Sequence, residues 1–300
     1  MKKIILTAVL AISTVSLFAQ ATTSGGLMSK KGEMYLPQAG DWSISFDASP
    51  FLNYFGNMLS SGGNKAPVAQ FLNGNNTIMG KYFVDDQTAY RGIVRIGFDH
   101  YGVDNMVYQD NYAGTPPTPQ VTDHVSVATH FIGLGVGMEK RRGKNRLQGY
   151  YGAEFMFFLA GQSQTFTYGN AVSTTDAAPT TTPWTISGTG TNVSITPGVA
   201  TAAPARVTAN SLGSTFGLSL QGFIGFEYFF APKISVGAEY TWGVGFASTG
   251  QGSMTQEGWN GTTDQSVTTK TGGNSFFGVD TGINSVWGDP SGALYINFHF

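Results

Sequence analysis

Eight ionisable side chains carry most of the chemistry open to this sequence: Asp47, Lys81, Arg91, Arg95, Glu139, Glu154, Glu227 and Glu239. Each stands in a segment whose residues alternate in character, and each falls on the parity that is polar or glycine. If these side chains face one interior they must pair there, because an isolated buried charge costs several kcal/mol. Arginine suits such pairing, since its planar fork bridges two carboxylates. Two chemistries are open to the group. One is a charged plug that fills space and fixes register; the other is a gated path for protons or ions. The plug is the expectation.

Other candidates for chemistry are few. Asp99–His100 and Asp123–His124 are acid–histidine dipeptides, and a histidine base needs a positioned partner. Neighbours on a strand point to opposite faces, so neither dipeptide forms a simple dyad, and no enzyme is expected. The chain has no cysteine, which excludes disulfides and thiolate chemistry. It has no HxxxH spacing and no acidic calcium loop, so no metal is expected. Gly133-Leu134-Gly135-Val136-Gly137 lacks dinucleotide spacing and opens no helix. No cofactor is expected either.

The elements that hold these residues are strands. Period-2 alternation from Trp42 onward is the mark of a strand with two unlike faces. It predicts eight of them: Trp42–Leu52, Thr77–Val84, Ala89–Tyr101, Asp123–Lys140, Leu147–Gly161, Ser211–Phe230, Ile234–Ala247 and Ala293–Phe300. In the third, Tyr90, Val94, Ile96 and Phe98 face one way, and Arg91, Arg95, Gly97 and Asp99 the other. Glycines crowd the polar parity because eight strands enclose too little room for large side chains at every position. Long links follow strands one, three, five and seven (53–76, 102–122, 162–210 and 248–292), and only short turns follow the others. That asymmetry is the pattern of an antiparallel up-and-down transmembrane β-barrel. Ser275 to Gly282 could add strand pairing in the last link, which makes ten strands the alternative.

Composition agrees with a membrane wall. Charged residues are only 11% of 300, aromatics reach 13%, and glycine numbers 41. A soluble domain usually carries about a quarter charged residues. A net charge of −2 gives no basic surplus for nucleic acid. A secreted β-sandwich or lipocalin-like barrel would also alternate, but a dry core would not tolerate charge of both signs. Aromatic residues should mark the membrane interfaces. Trp42, Tyr82, Tyr90, Tyr228 and Phe230 fall near the short turns, and Phe98, Tyr101 and Phe158 near the long loops. Met1-Lys2-Lys3, an apolar run from Ile4 to Phe18 and a small residue at Ala19 read as a signal peptide, residues 1–19. Residues 20–41 read as a periplasmic lead-in, an extended tail in preference to a plug, and 42–300 as the barrel.

These features resemble the outer-membrane β-barrel families of Gram-negative bacteria. The ending Ala293-Leu294-Tyr295-Ile296-Asn297-Phe298-His299-Phe300 resembles their C-terminal insertion signal, with Leu294, Ile296, Phe298 and Phe300 as its apolar positions. The strand count and loop asymmetry resemble the small OmpA- and OmpX-like members. Phe18-Ala19-Gln20 and the Lys81-Tyr82-Phe83 to Thr88-Ala89-Tyr90-Arg91 hairpin look like Bacteroidota versions. The resemblance implies an outer-membrane location, lipid around the wall and insertion by the barrel-assembly machinery. It implies little about task, because one fold hosts many functions. The expected role is structural or interaction-based: envelope integrity, surface contact, or an accessory subunit bound to an outer-membrane protein partner. A small transport pore is the first alternative and a rim-active hydrolase the second.

Overall fold

The computed structural model describes residues 27–48, 78–143, 145–188, 193–280 and 292–300, with the side chains of 47, 280, 292 and 293 outside the description. The signal peptide therefore lies outside the described residues, as do the end of the first expected strand and the whole of the first long link. Among the described residues the architecture is all-β. The strands are β1 Trp42–Asp47, β2 Ile78–Asp85, β3 Thr88–Tyr108, β4 Gln120–Arg142, β5 Leu147–Thr167, β6 Thr180–Thr181, β7 Trp184–Ser187, β8 Ser194–Pro197, β9 Thr201–Ala202, β10 Ala205–Ala231, β11 Ile234–Thr249, β12 Gly252–Trp259, β13 Asp264–Thr271, β14 Asn274–Asp280 and β15 Gly292–His299.

The pairings are antiparallel and run β1–β2–β3–β4–β5–β10–β11–β15. β15 then pairs with β1, so the ladder returns to its start. β12 and β13 form a hairpin that extends the sheet from the upper part of β10. β14 holds residues 274–280 of the segment considered for extra strands. It pairs with β11 from Gly243 to Thr249, while β15 takes the same strand from Ile234 to Tyr240. β10 covers the other edge of β11 along its whole length. β14 thus continues the line of β15 and does not add a crossing beside it.

The strands outrun their expected limits. The β3–β4 ladder reaches Tyr108↔Gln120, β5 continues to Thr167, and β10 starts at Ala205. The link expected over 102–122 shrinks to 109–119, and β12 to β14 occupy much of 248–292. The cause is chemical. Above Phe98, Ile132 and Leu159 the outward positions become His100, Asp104, Ser126 and Ser163, while Val107, Val125, Val127 and Phe166 are buried inward, so the apolar parity changes face and the pattern read lower down does not continue.

The two faces of the ring are inverted relative to a water-soluble sheet. Outward positions such as Ile44, Phe46, Val94, Ile96, Leu134, Val136, Phe155, Leu220, Phe226 and Val244 are exposed. Lys81, Arg91, Glu139, Arg141, Glu154, Glu227 and Glu239 are buried. No described helix is long and apolar enough to cross a membrane, which leaves strand crossings untouched.

Candidate functional site: a buried charge cluster between two closures

The polar parity of β2, β3, β4, β5, β10, β11 and β15 converges on one cluster low in the ring. Arg91 reaches Glu239 with both terminal nitrogens at 3.0 Å, a bidentate pair. Its guanidinium also lies 3.6 Å from Glu154 and 3.9 Å from Glu139. Lys81 Nζ is 2.9 Å from Glu139 Oε2. Arg141 approaches Glu139 at 3.6 Å and donates to Glu227. Glu227 also accepts from Ser235 Oγ, and Asn297 Nδ2 and His299 Nε2 lie 2.9 Å from its Oε1. Glu139 and Glu227 are completely buried. In so dry a setting these pairings are what keep the charges tolerable.

Aromatic rings close the space between the charges. Arg91 sits 3.8 Å from the centre of the Phe223 ring, and Lys81 4.7 Å from that of Tyr150. Arg141 lies between Phe83 and Phe229, which also flank His299. Such cation–ring contacts are electrostatically attractive and strengthen on desolvation.

Register explains how so many large side chains fit. Each row across the strands alternates bulk with glycine: Arg91↔Gly137↔Glu154, Glu139↔Gly152↔Phe223, Tyr150↔Gly225↔Glu239. A Cβ on Gly225 would stand 2.4 Å from the Tyr150 ring, and one on Gly152 would stand 2.0 Å from the Met138 carbonyl oxygen. The glycines are the holes into which neighbouring side chains fold.

The cluster thus gathers Lys81, Arg91, Glu139, Glu154, Glu227 and Glu239. Arg95 stands one layer higher, half-buried, 4.4 Å from the Phe131 ring. Asp47 pairs through its backbone with Tyr295, and its side chain lies outside the described residues. Sequence reading missed Arg141, because its fourth strand stopped at Lys140. β4 continues to Arg142, and Arg141 shares the inward parity of Glu139. Asn297 and His299 were on the polar parity of the last strand, and that was the available signal for them.

On the outer face Trp42, Tyr82, Tyr90, Tyr228 and Phe230 are exposed near the short turns, with the Trp42 and Tyr82 rings 4.8 Å apart. Phe98 also faces outward. Phe158 does not: it stacks on Phe131 in the layer of Arg95, because it shares the parity of Glu154. Tyr101 likewise shares the parity of Arg91, not that of Phe98. Leu294, Phe298 and Phe300 are exposed and Ile296 is half-exposed. The Phe300 N–H donates to Trp42 O, tying the last residue to β1.

Below the cluster, residues 35–41 pack against the short turns, so that part of the lead-in is not an extended tail. Tyr35 is nearly buried; Arg146 donates to its hydroxyl at 2.7 Å and covers its ring at 4.0 Å. The Lys233 N–H donates to Tyr35 O, and Lys233 Nζ pairs with Asp41. Gly40 N–H donates to Phe83 O. Tyr35 is an aromatic that needs a dry place, and the basic turns supply one.

Above the cluster the link after β5 folds back between the tall strands. Asp123 is completely buried and accepts from Gly169 N–H at 3.0 Å, Thr182 N–H at 2.8 Å and Thr182 Oγ1 at 2.7 Å. Asn105 donates to Thr182 Oγ1 at 3.0 Å. Asp110 accepts from the N–H and hydroxyl of Thr180. Arg206 pairs with Glu257 at 2.7 Å and lies over Tyr168, whose hydroxyl donates to Val207 O. Burial pushes the Tyr168 hydroxyl up to about 12, against a smaller opposing pull from Arg206.

The rim dipeptides are separated by this arrangement. Asp123 turns inward to the cap, while His124 turns outward and pairs with Asp104 at 2.6 Å. His100 meets Ser126 at 3.2 Å. Neither histidine pairs with the acid beside it in sequence. Among the described residues, no group of three or more His, Asp or Glu side chains is placed to hold a metal.

No protein-family model and no curated protein sequence matches this chain. Among solved structures it is similar to the crystal structure of the outer membrane protein OprG from Pseudomonas aeruginosa. The identity is 11%, the match covers 89% of this chain and 98% of that one, and the TM-score is 0.30. So loose a superposition says nothing about function, which must be read from the chain's own residues.

Proposed function

We propose that this chain is an integral outer-membrane β-barrel of eight strands whose interior is filled and whose role is structural or interaction-based. The observation that carries this reading is the inversion of faces: a closed round of antiparallel pairings, charged within and apolar without. On β4 the outward positions from His130 to Lys140 enclose Ile132, Leu134, Val136 and Met138. Ten residues rise about 33 Å along a strand, or about 25 Å at a tilt near 40°, the height of a lipid-facing band. The aromatics at Trp42, Tyr82, Tyr90, Tyr228 and Phe230 then mark the periplasmic interface, and β12, β13 and the cap stand on the cell surface.

In this reading the signal peptide directs export in a Gram-negative bacterium. Leu294, Ile296, Phe298 and Phe300 engage the barrel-assembly machinery, and lipid is the permanent partner of the wall. The cluster acts as a plug because its cations are each matched to carboxylates, with lead-in below and cap above. The chain serves envelope integrity, surface contact or a larger outer-membrane complex, without catalysis. Fractionation should place the protein with outer membranes, and its gel mobility should change on boiling. Reconstitution in planar bilayers should give no stable open-channel steps; regular conductance would overturn the plug.

A further inference from the structure

β13 is an edge strand with nothing on its far side among the described residues, and every residue in it is exposed. Such an edge presents unpaired N–H and C=O groups and is a template for another strand. The bond from Asn260 N–H to Thr263 O closes the β12–β13 hairpin and sets its alternation. Pairs Gly258↔Gln265, Gln256↔Val267 and Met254↔Thr269 then exchange the hydrogen bonds. Asp264, Ser266, Thr268 and Lys270 therefore aim their backbone groups away from β12.

We infer that β13 is a self-pairing edge and that its occupant is the β13 of a second copy of this chain. Complementarity under a two-fold axis selects that occupant. An antiparallel pair centred on Val267 sets Ser266 against Thr268 of the partner and Asp264 against Lys270 of the partner. Both relations occur twice, as an isologous contact requires. Four outward-aimed residues per copy then exchange backbone hydrogen bonds, opposite charges meet at both ends, and the half-exposed Val267 meets its own image. Any other two-fold register along the strand loses the Asp264–Lys270 match.

This pairing deepens the surface-contact role and rests on the membrane reading for its geometry: β13 runs in the same sense as β10, so a two-fold that reverses it sets the copies head to head, as barrels in two facing membranes. Because the chain has no cysteine, single replacements in the full-length protein report cleanly. Val267→Cys should give a disulfide-linked dimer of the detergent-purified full-length protein, where copies can meet head to head, because facing residues of a non-hydrogen-bonded pair lie within disulfide reach. Thr269→Cys, which faces Gln265 of the partner, should give little. Lys270→Asp in the Val267→Cys background should cut the dimer severalfold, and Asp264→Lys/Lys270→Asp should restore it. A monomeric Val267→Cys protein under mild oxidant, or equal cross-linking through Thr269→Cys, overturns the pairing. Thr262→Cys at the hairpin tip should react with a membrane-impermeant maleimide on intact cells. Failure of that labelling beside an intact Val267 dimer overturns the surface placement and leaves the edge pairing standing.

Discussion

The buried interior is polar at both ends, yet the two ends are built by different chemistry. The lower cluster joins full charges carried on separate strands, each placed by parity and register. The upper closure joins mainly the carboxylates Asp123 and Asp110 to backbone N–H and hydroxyl groups of a folded link, with Arg206–Glu257 as its ion pair. Below, removing one member leaves a desolvated opposite charge behind. Above, it leaves neutral donors. A wall of regular strands can carry ionic pairs because its geometry is over-determined. A link without regular pairing is held more safely by small neutral donors gathered around each acceptor.

The sharpest way to break this contrast is Glu227→Leu. It leaves Arg141 with only the longer carboxylate contact, to Glu139, and removes the acceptor for Ser235, Asn297 and His299. Breaking a buried pair from one side costs about 3–5 kcal/mol, so the urea midpoint in detergent should fall steeply. Arg141→Leu/Glu227→Leu should recover much of that loss; a double variant as weak as the single one would show that pairing is not what matters there. Next in size is Gly152→Ala, whose Cβ would meet the Met138 carbonyl oxygen and the Phe223 ring. Overpacking of this kind costs about 1–3 kcal/mol and should shift the thermal midpoint of the folded gel band.

Asp123→Ala tests the upper end. It leaves three donors without their acceptor, at about 1–3 kcal/mol for an unsatisfied buried group. The effect should stay local: faster hydrogen exchange over 168–188, with β3–β4 protection unchanged low in the wall. Loss of protection throughout would erase the distinction between the two ends. The smallest effect is a titration. The Tyr168 phenol is held neutral by burial, with its folded value raised to about 12 from an ordinary 10. Its contribution is therefore intact below pH 10 and is lost as pH rises through about 12. A difference titration of phenolate absorbance against Tyr168→Phe should show this tyrosine ionising last; ionisation near 10 would mean the cap is open.

How far each end could be read from sequence follows the same division. Lys81, Arg91, Glu139, Glu154, Glu227 and Glu239 were legible because strand parity alone sends them inward. Arg141 was not, since a basic run invites a turn and only the shared parity with Glu139 argues otherwise. The upper ends of β3, β5 and β10 ran past their expected limits because the outward face turns polar there while Val107, Val125, Val127 and Phe166 are buried inward, so the apolar parity changes face. Asp123 stood out only as the acid of a rim acid–histidine dipeptide, and nothing local could show that Gly169 and Thr182 would fold back to meet it. β14 was visible as a strand, but only pairing could reveal that it extends the line of β15. Tyr35 gave a weak signal as the one aromatic residue of the 20–41 lead-in.

That lead-in has a mechanical consequence. Residues 35–41 touch the β4–β5 turn through Arg146, the β10–β11 turn through Lys233 and β2 through Phe83. Strands in a closed round can change tilt only by sliding past one another, and sliding separates the turns that join them. A strap fastened to three points on that circumference resists the slide like a hoop on staves. The girth of the wall is then set in part by a segment that belongs to none of its strands.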